Sequence, residues 1–256
     1  MHRRRARLGP PLRPHADAIA AYKAILADHG RRMLLLGVTP GLADVAAEVI
    51  AVDRNEAMIA NVWPGDTLRR RAMQGDWLAL PFPSGYFSSA AGDGSLNSIT
   101  YPETYAGLLG QLARVIEPGG LFVTRVFMAP ERSESVADVV ELGRRGEIPV
   151  FNAFKWRLAM ALVAEAGNPN IAVTAIRGAF ERAYTDRAAL AASSGWDPED
   201  IETIDAYANS ADVYSFPTLT QLRAAVPSSF PDVQIVNAGT YALAERCPLV
   251  VMRRGT

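Results

Sequence analysis

With 256 residues, 49% of them hydrophobic, the chain has the material for one large α/β domain, and its formal net charge of −1 lacks the basic excess that nucleic-acid phosphates demand. No apolar run approaches the roughly 20 residues that span a bilayer, and a single cysteine, Cys247, excludes an internal disulfide and fits a reducing compartment. The expectation is a cytoplasmic protein that binds neither nucleic acid nor membrane.

Taken in chain order, residues 1–14 (MHRRRARLGPPLRP) form a basic, proline-rich arm without the apolar core of a signal peptide, expected to be flexible or loosely docked. Ala16–Asp28 reads as a first helix. Strands follow at 33–37, 49–53, 71–75, 88–92 and 121–127, alternating with helices at 42–48, 55–61 and 103–116. In the last of these helices apolar residues recur at 105, 108, 109, 112, 115 and 116, before Pro118-Gly119-Gly120 turns the chain into the fifth strand. Residues 131–216 change character and read as a largely helical insertion, in which Asp197-Pro198 suits a helix cap and first turn. FPTLTQLRAAVPS then supplies a last sheet-covering helix, and VQIVNAGTYAL and CPLVVMRR the closing strands, an antiparallel hairpin at the sheet edge. The organisation expected is a core of 15–130 and 217–256 interrupted by a lid at 131–216.

The densest information lies in Arg32–Asp53, RMLLLGVTPGLADVAAEVIAVD. An apolar strand enters the turn Gly37-Val38-Thr39-Pro40-Gly41, and a second strand ends in Asp53. Such a unit sets backbone N–H donors beside a ligand and offers a carboxylate to ribose hydroxyls. A dinucleotide fingerprint would carry a third glycine in register; here only 37 and 41 are glycine, which disfavours pyrophosphate binding.

Further along stand RAMQGDW at 71–77, YFSSAAGDGSLNSI at 86–99 and YAGLLGQLARVIEPGGLFVTRVFM at 105–128. This series of strand-end acids, with ARVIEPGGLFVTR and its spacing, resembles the class I S-adenosylmethionine-dependent methyltransferases over residues 15–130 and again at 216–254. The resemblance implies a Rossmann-like, doubly wound, seven-stranded, mostly parallel sheet with an antiparallel edge strand, and S-adenosyl-L-methionine as cofactor. Residue by residue it implies Gly37 and Gly41 along the methionine part, Thr39 and Pro40 of the same turn at the cofactor, Asp53 on the ribose hydroxyls, and Arg54 and Met58 bordering the adenine. It places Gly75, Asp76 and Trp77 at the adenine amino edge and ring, and Asp93, Gly94 and Ser95 below the sulfonium. Leu35 and Thr39 depart from the family pattern, which has an acid and a glycine there.

Methyl transfer needs an aligned and deprotonated acceptor. His2, His15 and His29 all precede the first strand, so the candidates for proton handling are Asp93, foremost, then Tyr101, Glu103, Arg125 and Tyr22 of the first helix. No spacing of cysteine and histidine points to a metal. Acceptor choice is expected from the lid, where Trp156, Tyr207 and Tyr214, with Tyr22 of the first helix, suit an apolar or aromatic small molecule; Arg157 and Arg177 read as a solvated helix face, the alternative being partners for a substrate carboxylate. The oligomeric state stays open, a homodimer among the options. The competing classes are a non-catalytic cofactor binder and, disfavoured by the glycine pattern, a nicotinamide-dependent oxidoreductase.

Overall fold

Runs rich in leucine and β-branched residues build a central sheet in the computed structural model of the chain, which describes residues 9–256. A first helix α1 (Ala16–Leu26) leads to β1 (Arg32–Leu36), β2 (Glu48–Asp53), α2 (Glu56–Val62), β3 (Arg70–Gln74), β4 (Phe87–Asp93), α3 (Glu103–Val115) and β5 (Ile116–Arg125). There follow α4 (Val136–Arg144), α5 (Phe151–Ala166), β6 (Asn170–Ala172), α6 (Val173–Ala183), α7 (Arg187–Ser194), α8 (Pro198–Ile201) and β7 (Val213–Ser215). The chain closes with α9 (Leu219–Ala225), β8 (Asp232–Val236) and β9 (Leu249–Arg253).

Seven strands pair in the order β3-β2-β1-β4-β5-β9-β8. β3, β2, β1, β4 and β5 run parallel, and β9 pairs antiparallel with both β5 and β8. The central strands are apolar on both faces because helices cover both, as parallel sheets require. One cover centres on α1, with Tyr22 and Leu26 against Met33, Leu35 and Val123. The other centres on α3, whose Tyr105, Leu108, Leu109 and Leu112 meet Leu34, Ile50 and Phe122. The strand order reverses between β1 and β4, so a ligand crevice is expected outside their carboxyl ends. This is the Rossmann-like sheet the resemblance implied.

Four local expectations are corrected. The helix expected at 42–48 is one 3₁₀ turn at Pro40–Leu42 followed by turns and bends. Eleven residues, 37–47, must return from the top of β1 to the foot of β2. A helix rises only about 1.5 Å per residue, so one that short cannot span the roughly 17 Å of a five-residue strand, whereas extended chain can. Pro118-Gly119-Gly120 forms a bulge inside β5, where the register with β4 jumps between Phe87 and Ser89. Residues 237–243, expected as strand, form a loop whose Tyr241 reaches Arg125. The arm is packed from residue 9: Pro11 is buried, Leu12 joins the apolar core of the insertion, and the Arg13 carbonyl accepts from Arg125. Residues 1–8 of that arm, His2 included, lie outside the described residues.

The stretch after β5 is helical as expected but also holds a two-stranded sheet, β6 against β7, which splits IAVTAIRGAFERAY into a strand and α6. It has its own core of Phe151, Phe154, Phe180, Tyr184 and Trp196, in mutual ring contact. Asn97, after β4, fastens it to the main sheet. Its amide donates to the carbonyls of Phe127 at 2.8 Å and Ser215 at 2.6 Å, and its oxygen accepts from the Phe127 N–H at 2.9 Å.

The bulge makes a testable demand. A Cβ on Gly120 would sit 2.6 Å from the Ser88 carbonyl oxygen, and backbone cannot yield as a side chain can. Gly120→Ala is expected to lower stability by about 2–4 kcal/mol in denaturant titration, by forcing a shift in close-packed surroundings. Gly110→Ala, exposed in mid-α3 with nothing within 4 Å of its Cβ, is expected to raise it by up to about 1 kcal/mol. Equal effects at both sites would overturn the packing argument.

Candidate active site

The crevice is built from the carboxyl ends of β1, β2 and β4. Gly37 leaves β1 at φ 85°, in the left-handed region that glycine adopts without strain, and its N–H donates to the Val52 carbonyl at 2.8 Å. A Cβ there would point toward Asp53 Oδ2 at 3.8 Å and the Trp77 ring at 3.9 Å. The missing side chain therefore leaves a cradle between backbone, carboxylate and indole. Asp53 Oδ1 accepts from the Asn55 N–H at 2.8 Å, while Oδ2 has no hydrogen-bond donor among the described residues. Partial burial pushes the Asp53 carboxyl up, with the Asn55 N–H and Arg54 pulling it back. A half-buried carboxylate with one oxygen unengaged suits a pair of ribose hydroxyls, and the cradle fits the nucleoside half of the implied cofactor.

Trp77 is half-buried, packs on the α3-side core, and donates from Nε1 to the Val52 carbonyl at 2.7 Å. Its ring is thus fixed beside Gly37. Asp76, exposed, accepts from the Leu78 N–H at 2.9 Å and caps a 3₁₀ turn; Gly75 lies against Val52, whose Cγ1 would meet a Cβ at 2.9 Å. Arg54 is exposed, and Met58 is half-buried on the α1-side core. At the other end of the turn, Gly41 has a different tenant: Ile19 Cδ1 stands 2.8 Å from where its Cβ would be. Thr39 and Pro40 carry the 3₁₀ turn, Thr39 through its carbonyl, which accepts from the Leu42 N–H. Leu35 is fully buried, so this position offers a ligand no polar group.

Asp93 has an environment the sequence did not anticipate. Its carboxylate is gripped by Arg125, from Nε at 2.6 Å and Nη2 at 3.2 Å, with side-chain exposures of 6% and 0%. Burial pushes the Asp93 carboxyl up and Arg125 draws it down; for Arg125 burial opposes the charge, and Asp93 and Tyr241 restore it. The Tyr22 hydroxyl, fully buried, donates to the Gly92 carbonyl and accepts from the Arg125 N–H at 2.7 Å. A base must reach its proton, and this carboxylate is spent on a guanidinium. Asp93, Arg125 and Tyr22 therefore form one structural knot rather than the open acid, cation and acceptor contact expected of them. Above it Phe127 packs on Gly94, its ring 2.9 Å from the ideal Cβ position, and Ser95 Oγ shares a hydrogen bond with Thr124 Oγ1 at 3.1 Å. The Tyr101 hydroxyl donates to the Gln221 carbonyl at 3.1 Å. Cys247 is buried, and its thiol is pushed up to about 12, mainly by that burial, which removes it as a nucleophile.

The aromatic residues expected on the acceptor side come together. Trp156 meets Tyr214 at 5.4 Å and Tyr214 meets Tyr207 at 6.2 Å between ring centroids, and Trp156 also touches Phe127 at 5.3 Å, which links the group to the strand ends. Arg157 and Arg177 are in ion pairs, Arg157 with Glu134 and Arg177 with Glu181 and Asp205. Lys155, one of two lysines in the chain and absent from the sequence-derived candidates, is 2% exposed. Its Nζ donates to Thr203 Oγ1 at 2.9 Å and lies 5.4 Å from the Phe151 and 5.7 Å from the Tyr207 ring centroid. Burial lowers its pKa to about 7 against a smaller opposing pull from Asp200. The signal available was a lysine inside the apolar run IPVFNAFKWRLAMAL.

Residues 37–124 match the family profile described as a methyltransferase domain. No curated protein matches the chain. Among solved structures, an S-adenosylmethionine-dependent methyltransferase from Mesorhizobium loti superposes with a TM-score of 0.52 at 18% identity, covering 94% of this chain and 99% of its own. A putative Zn-dependent alcohol dehydrogenase from Rhodobacter sphaeroides gives 0.57 at 13% identity, covering 95% and 92%. A possible exported protein from Bordetella parapertussis gives 0.52 at 14% identity, covering 96% and 70%. At these identities the likeness concerns the fold alone.

Two outcomes test the electrostatics. Arg125→Met leaves Asp93 buried without its partner and is expected to cost about 3–5 kcal/mol of stability. A loss within 0.5 kcal/mol, on the order of an exposed substitution, would refute the knot. For Lys155 the folded pKa lies near 7 and the ordinary value is 10.5. Between them the unfolded chain holds a proton that the folded one has released, so stability rises with pH through this window, by at most about 1.4 kcal/mol per pH unit. Denaturation from pH 6 to 10 should show this rise in the wild type and lose it in Lys155→Met.

Proposed function

On the premise that the chain carries the methyltransferase domain of the class I S-adenosylmethionine-dependent family, we propose that it transfers the methyl group of S-adenosylmethionine to a small-molecule acceptor. The observation that carries this reading is the cradle at Gly37, where a left-handed glycine, the unengaged Asp53 oxygen and the Trp77 indole converge at the carboxyl ends of β1 and β2. The cofactor supplies an electrophilic methyl on a sulfonium. The chain's own task is to hold nucleoside and acceptor in line and keep water out. In this reading Asp53 accepts from the ribose hydroxyls, Trp77 packs on the nucleoside, Arg54, Met58 and Asp76 border the adenine, and Gly94 and Ser95 face the reacting centre.

The knot of Asp93, Arg125 and Tyr22 acts here as positioning machinery: it fixes the ends of β4 and β5, between which Gly94 and Phe127 stand. Residues 131–216 serve as the acceptor-selecting cover, joined to the core by Asn97. A net charge of −1 favours a small acceptor over nucleic acid. A second reading, cofactor binding without transfer, draws on the buried Leu35, which leaves the methionine end one acidic partner short.

Calorimetry tests the proposal. S-adenosylmethionine or its demethylated product is expected to bind, and Asp53→Ala to weaken binding by roughly tenfold or more, since each charge-assisted bond contributes about 1.5–3 kcal/mol. Unchanged affinity would remove Asp53 from the site, and tighter binding of a nicotinamide dinucleotide would sink the reading. Cofactor binding with no turnover against a metabolite extract would favour the second reading.

A further inference from the structure

Buried polar atoms are almost always hydrogen-bonded, so those that are not mark places where a partner is missing. Among the described residues, side-chain atoms buried without any partner include Asn152 Oδ1 and Trp156 Nε1, both on α5 and both on residues only 5% exposed. Lys155 lies between them in sequence, with its three-donor head engaged by Thr203 Oγ1 and two ring faces. Positions 152, 155 and 156 are spaced i, i+3 and i+4, which puts them on one sector of the helix. An acceptor atom without a donor, a donor without an acceptor, and an under-used amine thus share one wall.

The surroundings give this wall a shape. Lys155 Nζ lies over Tyr207, Tyr207 meets Tyr214 edge to face, and Tyr214 meets Trp156, closing a circuit of aromatic rings around the polar sector. Trp156 in turn contacts Phe127, which follows the end of β5 and packs on Gly94. Tyr207 and Tyr214 are part-exposed, so the group borders solvent on one side and the strand ends on the other. If these residues were only a core, the two unpaired atoms would cost about 1–3 kcal/mol each for no return.

We propose that the sector of α5 bearing Asn152, Lys155 and Trp156 is the acceptor-binding wall, and that it takes a planar hydroxyaromatic acid. The carboxylate accepts from Lys155 and Trp156, the hydroxyl donates to Asn152 Oδ1, and the ring lies among Tyr207, Tyr214 and Phe127. The assignment of this ligand as methyl acceptor rests on the methyltransferase reading; the binding site does not. A carboxylate bound here would stabilise the protonated form of an amine that burial holds near pKa 7, a pull that Asp200 alone supplies at present, with Tyr207 the other titratable group against it.

The test uses 3-hydroxybenzoate, benzoate and phenol as probes on the full chain, followed by calorimetry and tryptophan fluorescence, with and without S-adenosylhomocysteine. The wild type should bind 3-hydroxybenzoate, and benzoate and phenol roughly tenfold or more weakly, each lacking one complementary group. Asn152→Leu and Lys155→Met should lose 3-hydroxybenzoate by a similar factor yet melt at an equal or higher temperature, because each removes a buried polar group that lacks full pairing. Variants that melt higher and bind the probe as well as the wild type would return this wall to the core. A wild type that binds none of the three probes would also overturn the proposal. Loss of S-adenosylhomocysteine binding alone would sink the methyltransferase reading and leave the acid site standing.

Discussion

The buried pair of Asp93 and Arg125 is the constraint on which the rest of this structure turns. Two charges taken out of water carry a desolvation cost of several kcal/mol each, and the pair holds only because every remaining donor and acceptor around it is placed. Arg125 engages Asp93 with two nitrogens, reaches Tyr241 and the Arg13 carbonyl with a third, and lies 5.0 Å over the Phe127 ring. Its backbone N–H goes to Tyr22, which also caps the Gly92 carbonyl. Five separate stretches of chain, from the arm to the loop before β9, therefore meet at one arginine, four of them at its side chain and Tyr22 at its backbone N–H. Such a knot adds little net stability over apolar packing; what it adds is a single arrangement, since any other leaves a charge unpaired.

The knot also explains why the crevice is where it is. β4 and β5 end together on Asp93 and Arg125, in register, so that Gly94 and Phe127 face one another across the strand ends. On the far side of β1, Val52 plays a similar part for the cradle at Gly37, its carbonyl receiving both the Gly37 N–H and the Trp77 indole. Asn97 then joins the strand ends to the helical insertion through both of its amide atoms. Sheet, cradle and helical insertion are coupled by a few buried polar contacts, while the apolar clusters supply the bulk of the driving force.

Short connections limited what the sequence pattern could express. The turn after β1 has helix-forming residues, yet the distance it must span leaves room for one 3₁₀ turn only. Gly41 looked like part of a ligand loop, and its missing side chain is filled by Ile19 of α1, a partner more than twenty residues away that no local pattern reveals. Beyond the apolar run around it, nothing local distinguishes Lys155 from a surface lysine, yet it is buried among aromatic rings.

The order of strands, the family resemblance, the glycine at 37, the acid at 53 and the apolar faces of the helices were legible because each depends on local periodicity or on residues a few positions apart. Asp93 and Arg125 were also found as candidates, but as separate ones. That they neutralise each other, that Tyr22 and Tyr241 close around them, and that Asn152 and Trp156 are left without partners depend on contacts across long stretches of chain. A sequence fixes the chemistry available at each position. Only the packed tertiary structure decides which charges meet, which are buried, and which polar atoms remain for a ligand.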